Sequence, residues 1–252
     1  MEAFLDVQDL TKTFLAQGKD VHAAVDHVSF QLREGETLGL VGESGCGKST
    51  LAKLITRLIE PTAGLIRVGG QDITKARGKA LRPVYRQIQM VFQSPAGSFD
   101  PRKTIGYGIG ESLANHGMSR EKRIQRVAEL LEQCGLPAEF ARRYPHEVSG
   151  GQCQRAAIVR ALAIQPKLLI CDEATSALDV TVQQQIMELL RRLKREHRLS
   201  FLFICHNLAL VQSFCDRVMV MYDGRIVESG TPDQVIQAPE SEYTRRLVDA
   251  AF

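Results

Sequence analysis

Eight residues carry the clearest chemistry: Gly42-Glu43-Ser44-Gly45-Cys46-Gly47-Lys48-Ser49. They follow a short apolar run, Leu38-Gly39-Leu40-Val41, and precede a stretch with helical spacing. Glycines at these positions let backbone N–H groups curl around phosphate oxygens, and the following helix adds its positive N-terminus. In such a loop Lys48 reaches the β- and γ-phosphates and the Ser49 hydroxyl ligates Mg²⁺, with Thr50 close by. A chance match in a glycine-containing turn is the competing reading. The strand before the loop and the helix after it argue against that.

A second constellation is Leu168-Leu169-Ile170-Cys171-Asp172-Glu173. An apolar strand ending in two carboxylates places them at the carboxyl edge of a parallel sheet, where ligand sites form in α/β folds. Asp172 is placed to hold Mg²⁺ through water, and Glu173 to orient and polarise an attacking water. Alone, this pattern more often marks a strand running into a solvated loop; paired with the glycine loop it gains meaning. A third is Val148-Ser149-Gly150-Gly151-Gln152. Ser149 starts a helix over 150–163, and the two glycines leave its N-terminus open to an anion.

The elements that must position these groups follow from spacing. Phe4-Leu5-Asp6-Val7 and Val28-Ser29-Phe30-Gln31-Leu32 read as antiparallel strands. Residues 48–59 read as a helix with Leu51, Leu54, Ile55 and Leu58 on one face. Pro95, Gly97 and Pro101 mark a loop, after which 104–163 is helical. Within it Ser119 caps a helix whose stripe is Ile124, Val127, Leu130 and Leu131. Strand and helix then alternate again, with a strand over 201–205 and a helix over 182–197. Asp223-Gly224 turns a hairpin, and Thr231-Pro232 starts a last helix.

Composition narrows the classes. The 252 residues are 44% hydrophobic and 24% charged, as in a globular chain with a full core. A net charge of +3 gives no case for nucleic acid as a partner. The cluster Arg191, Arg192, Lys194, Arg195 fits a solvated helix face. The longest apolar runs fall far below the ~18 residues of a spanning helix, and MEAFLDVQDL has no apolar signal segment. A cytoplasmic location is expected. The six cysteines form no CxxC pair, so reduced and mostly buried thiols are expected rather than a metal site.

With all three motifs in order, the chain resembles the ATP-binding subunit of an ABC transporter over nearly its whole length. Position 148 is Val where that family most often has Leu. The resemblance implies an α/β fold: a P-loop NTPase (RecA-like) core with an N-terminal antiparallel β subdomain and an inserted α-helical subdomain. It implies one domain over 3–248, with the core near 3–96 and 161–248 and the helical part near 97–160. It implies ATP and Mg²⁺ as cofactors. Gln93 looks like the glutamine that senses Mg²⁺ and the γ-phosphate, and His206 like the switch histidine. Ser176-Ala177-Leu178-Asp179 resembles the loop that crosses the dimer interface. Phe14 resembles the aromatic that stacks on adenine, with a core phenylalanine as the competing reading and His22 a weaker candidate.

In that family Ser149, Gly150, Gly151, Gln152 and Asp179 meet the nucleotide of a second ATPase subunit. An isolated monomer is then expected to bind ATP and hydrolyse it poorly, because half of the apparatus comes from the partner. Further partners implied are two transmembrane permease subunits and, indirectly, an external substrate-binding protein, at the cytoplasmic face of the inner membrane.

Val91-Phe92-Gln93-Ser94-Pro95, Asp100-Pro101-Arg102, Tyr144-Pro145-His146-Glu147 and Glu242-Tyr243-Thr244-Arg245-Arg246-Leu247 look like the peptide and nickel importer group. Peptide-importing members commonly continue into a cysteine-containing extension, and this sequence stops at Phe252. That tilts the expectation towards nickel, a metal chelate or a similar small ligand, with peptides still open as cargo. The alternatives are a soluble ABC-type ATPase of DNA repair or translation, and an exporter subunit. Repair members carry long heptad arms and translation members usually two cassettes; neither is present in the sequence.

Overall fold

A computed structural model describes residues 3–15, 21–175 and 178–250. In chain order the strands and helices begin with β1 Ala3–Leu15, β2 Val21–Arg33, β3 Thr37–Val41 and α1 Lys48–Ile55. They continue with β4 Ala63–Val68, β5 Gln71–Asp72, α2 Arg82–Gln87, β6 Ile88–Val91, α3 Ile105–Asn115 and α4 Arg120–Gln133. Next come α5 Gly150–Leu162, β7 Leu168–Asp172, α6 Val180–His197, β8 Ser200–Ile204 and α7 Leu208–Phe214. The series closes with β9 Arg217–Tyr222, β10 Arg225–Gly230, α8 Pro232–Gln237 and α9 Glu242–Asp249.

Two sheets result. One is antiparallel, in the order β2-β1-β4-β5; the other has the order β10-β9-β3-β8-β7-β6. In the larger sheet β6, β7, β8, β3 and β9 run parallel, and β10 returns antiparallel at the edge. Alternation along the parallel strands feeds two cores. Leu38, Leu40, Leu168, Ile170, Leu202, Ile204, Met219 and Met221 pack with α1 and the antiparallel sheet. Leu169, Cys171, Phe201, Phe203, Val218 and Val220 pack with the helices on the other face. Strands buried on both faces read as continuous apolar runs, which is why β7 and β8 look so plain in sequence.

The expected hairpin forms with Asp223 at φ 45° and Gly224 at φ 78°, the two positive angles of a type I′ turn. Ser119 and Thr231 cap α4 and α8. Two expectations are corrected. Helix α1 ends at Ile55, Arg57 turns left-handed at φ 57°, and Leu58 is exposed rather than on the buried face. Ile124 is 64% exposed, so the buried stripe of α4 is Val127, Leu130 and Leu131. Five of the six cysteines are buried and Cys46 is half-buried. Burial pushes Cys134, Cys171 and Cys205 up to about 12, so they act as small apolar fillers. Among the described residues no helix is long and apolar enough to cross a membrane.

Candidate nucleotide site

The glycine loop joins β3, an interior strand between β9 and β8, to α1. Its geometry demands glycine at two points. Gly42 sits at φ 152° with the Met221 carbonyl oxygen 2.2 Å from where a Cβ would lie. Gly47 sits at φ 110° with the Ala24 carbonyl oxygen at 2.1 Å. The loop is thus wedged between β2 and the β9–β10 hairpin, and Gly224 N–H donates to the Cys46 carbonyl at 3.0 Å. Gly47 offers no side-chain cap to α1, which leaves the first N–H groups of that helix facing the loop. Lys48 is 4% exposed. Its ammonium donates to the carbonyls of Gly42 at 2.8 Å and Glu43 at 2.7 Å, as a buried charge requires.

Because the strands are parallel, their carboxyl ends gather at one edge. Asp172 ends β7 beside Ile204, the last residue of β8. The Ser49 hydroxyl donates to Asp172 Oδ1 at 3.0 Å. Burial pushes the Asp172 carboxyl above its usual range, with the Ser49 bond opposing. A hydroxyl and a carboxylate facing each other at this distance are hard oxygen donors of the kind Mg²⁺ selects. Glu173 follows in a left-handed conformation, φ 49°, with its N–H donating to the Ile204 carbonyl at 3.0 Å. Such angles are costly outside glycine and concentrate at functional sites. Gln93, just past β6, donates from Nε2 to Glu173 Oε2 at 2.8 Å. His206 lies just past β8 and is exposed. Lys48, Ser49, Asp172, Glu173 and Gln93 are therefore one constellation, as the motifs imply.

The Ser149–Gln152 segment is placed differently. Ser149 caps α5: its hydroxyl accepts from Gln152 N–H at 3.3 Å, and the Gln152 side chain accepts from Ser149 N–H at 2.9 Å. The two glycines part company. A Cβ on Gly151 would lie 2.5 Å from Val182 on α6, so this glycine serves helix packing. A Cβ on Gly150 would meet only Leu178, at 3.9 Å, so its missing side chain keeps exposed surface open. Asp179 caps α6, accepting from Val182 N–H at 2.9 Å. Ser176 and Ala177 lie outside the described residues. Among the described residues no hydrogen bond or ion pair joins Ser149–Gln152 to Gly42–Thr50. Phe14 is 45% exposed, with Lys12 Nζ 5.1 Å from its ring centroid, which excludes the core reading. His22 sits opposite it in the β1–β2 register.

One contact has no signal in the motifs. The Tyr243 hydroxyl, on α9, accepts from the Glu43 N–H at 2.9 Å. Tyr243 belongs to the segment 242–247, whose resemblance to the peptide and nickel importer group carries no sign of this contact.

A run of parallel strands with a glycine loop on an interior strand and paired carboxylates at the same edge defines a nucleotide-binding fold. The description "ABC transporter" matches residues 25–176. The glutathione import ATP-binding protein GsiA of Pectobacterium atrosepticum is 51% identical over 233 residues, covering 92% of this chain and 37% of the relative. The chain thus spans little more than a third of that relative's length. The di/tripeptide transport ATP-binding protein DppF of Pseudomonas aeruginosa is 44% identical over 256 residues, covering 99% of this chain and 79% of the relative. Among solved structures, the post-hydrolysis dimer of the cassette MJ0796 with ADP and Pi superposes with a TM-score of 0.83. Its identity is 30%, with 90% of this chain and 98% of that one covered. The chain belongs to the ABC transporter family, among its ATP-binding proteins.

Proposed function

We propose that this chain binds ATP with Mg²⁺ and hydrolyses it to drive an importer of small peptides. The observation that carries the reading is the meeting of Lys48, Ser49, Asp172 and the Gln93–Glu173 pair at one sheet edge. Gly42–Thr50 would cradle the phosphates, with Lys48 turning from the loop carbonyls to the β- and γ-oxygens. Ser49, Asp172 and Gln93 would hold Mg²⁺, which supplies charge neutralisation at the phosphates. Glu173 would accept a proton from the attacking water, and His206 would contact the γ-phosphate. Phe14, exposed on its sheet, would stack on adenine.

The exposed Ser149–Gln152 segment and Asp179 support a head-to-tail dimer in which each reaches the nucleotide of the other subunit. The second ATPase subunit would be homologous, and two permeases would span the membrane at whose cytoplasmic face the chain works. A core over 3–96 and 161–248 with a helical part over 97–160 is the matching division of the chain. The relatives' names, glutathione and di/tripeptide import, favour a small peptide cargo over nickel or a metal chelate.

The test is Mg-ATP binding and phosphate release by the purified chain. Lys48→Ala should weaken ATP binding by about ten- to a hundred-fold, the weight of a charge-assisted contact. Unchanged ATP affinity in that variant would overturn the placement of the nucleotide.

A further inference from the structure

We infer that Tyr243, on the C-terminal helix α9, is a positioning residue for the nucleotide loop and sets its affinity for ATP. The inference rests on the nucleotide reading above and adds a residue to it. Tyr243 is 6% exposed, and its hydroxyl takes the Glu43 N–H at 2.9 Å. The Glu43 carbonyl, on the other side of the same residue, takes the Lys48 ammonium at 2.7 Å. Both main-chain polar groups of Glu43 are therefore fixed, one by the helix and one by the lysine.

The pin itself is anchored. The Tyr243 ring packs against Tyr222 with centroids 4.3 Å apart. Tyr222 ends β9, next to the Met221 carbonyl that Gly42 approaches so closely. The start of α9 is tied to β10, because the Glu228 carboxylate accepts from the N–H groups of Glu240 and Ser241 at 3.0 Å each. Burial pushes the Tyr243 phenol upward, so the oxygen stays a neutral hydroxyl.

The loop needs such an anchor. Gly42, Gly45 and Gly47 all have positive φ, and glycine gives the chain more conformations to lose when phosphate binds. Holding the first turn in advance lowers that ordering cost and raises affinity. A tyrosine serving only to dock α9 would affect stability and leave ATP untouched.

Tyr243→Phe separates the two, because it keeps the ring and its packing on Tyr222 and removes only the oxygen. Equilibrium binding of Mg-ATP and phosphate release against Mg-ATP concentration are both measured in wild type, Tyr243→Phe and Lys48→Ala, alongside thermal unfolding without nucleotide. Tyr243→Phe is expected to raise KM for ATP about three- to ten-fold, the weight of one neutral hydrogen bond. Its kcat should stay within about two-fold of wild type, since the reacting groups are untouched. An unchanged KM in Tyr243→Phe, with Lys48→Ala still impaired, overturns the pin and leaves the nucleotide reading standing. Absence of ATP binding by wild type overturns both.

Discussion

The phosphate loop and the Ser149–Gln152 segment are both glycine-containing turns at helix starts, yet they are built in opposite ways. The loop is enclosed, with Gly42 and Gly47 pressed against Met221 and Ala24 and Lys48 buried over the loop's own carbonyls. Its cap position gives α1 no side-chain partner. At α5 the Ser149 and Gln152 side chains satisfy each other's N–H groups, while Ser149 and Gly150 face outward. One turn is shaped from within by its neighbours. The other is locally complete and presents a surface. A site divided between two chains calls for this asymmetry: a rigid cradle in one and a self-supporting, exposed edge in the other.

The sharpest way to break the comparison is Glu173→Gln. It keeps the shape and the Gln93 contact region while removing the proton acceptor. Turnover should fall by about a hundred- to a thousand-fold. ATP affinity should stay near wild type, and an ATP-dependent dimer should appear on a sizing column. Full turnover in Glu173→Gln removes the residue from catalysis. A smaller effect sharpens the outward-facing half. Gly151→Ala drives a Cβ into Val182 and should cost about 1–3 kcal/mol of stability, read by denaturant unfolding. Gly150→Ala meets only Leu178 at 3.9 Å and should leave stability unchanged. It should nevertheless cut turnover about ten-fold or more if that surface closes on another subunit's phosphate. Equal behaviour of the two alanines would erase the distinction between packing glycine and surface glycine.

What the sequence shows and what it hides divide along the same line. The Asp223-Gly224 hairpin and the Ser119, Ser149 and Thr231 caps are legible because each is set by residues within one turn of chain, and the glycine loop because its residue types and spacing form a phosphate-binding pattern. The apolar runs of β7 and β8 are legible because burial on both faces leaves no polar alternation. The stop of α1 is not: spacing carries the stripe on to Leu58, while Arg57 turns left-handed and ends it. Ile124 continues a perfect helical stripe and still points to solvent, since a stripe says which side is apolar and not how far the neighbouring helix extends. Long-range pairings are hidden altogether. Gln93 and Glu173 are 80 residues apart and Glu43 and Tyr243 are 200 apart. Resemblance suggested that the first pair share a site, and nothing in the pattern suggested the second.

Asp179 is where the two halves are hardest to tell apart, and the smallest effects are expected there. The carboxylate caps α6 through Val182 N–H, so its presence is already explained by local structure. Asp179→Ala removes the cap and should cost about 1 kcal/mol, or roughly 2–4 °C in melting temperature for a chain of this size. Asparagine caps a helix start as well as aspartate does, so Asp179→Asn should melt with wild type. Any loss of turnover in Asp179→Asn then reports on the negative charge outside its own helix, which is the contact a second subunit would make. If Asp179→Asn is fully active and Asp179→Ala loses only stability, the residue belongs to the fold of α6 and leaves the dimer surface to Ser149 and Gly150.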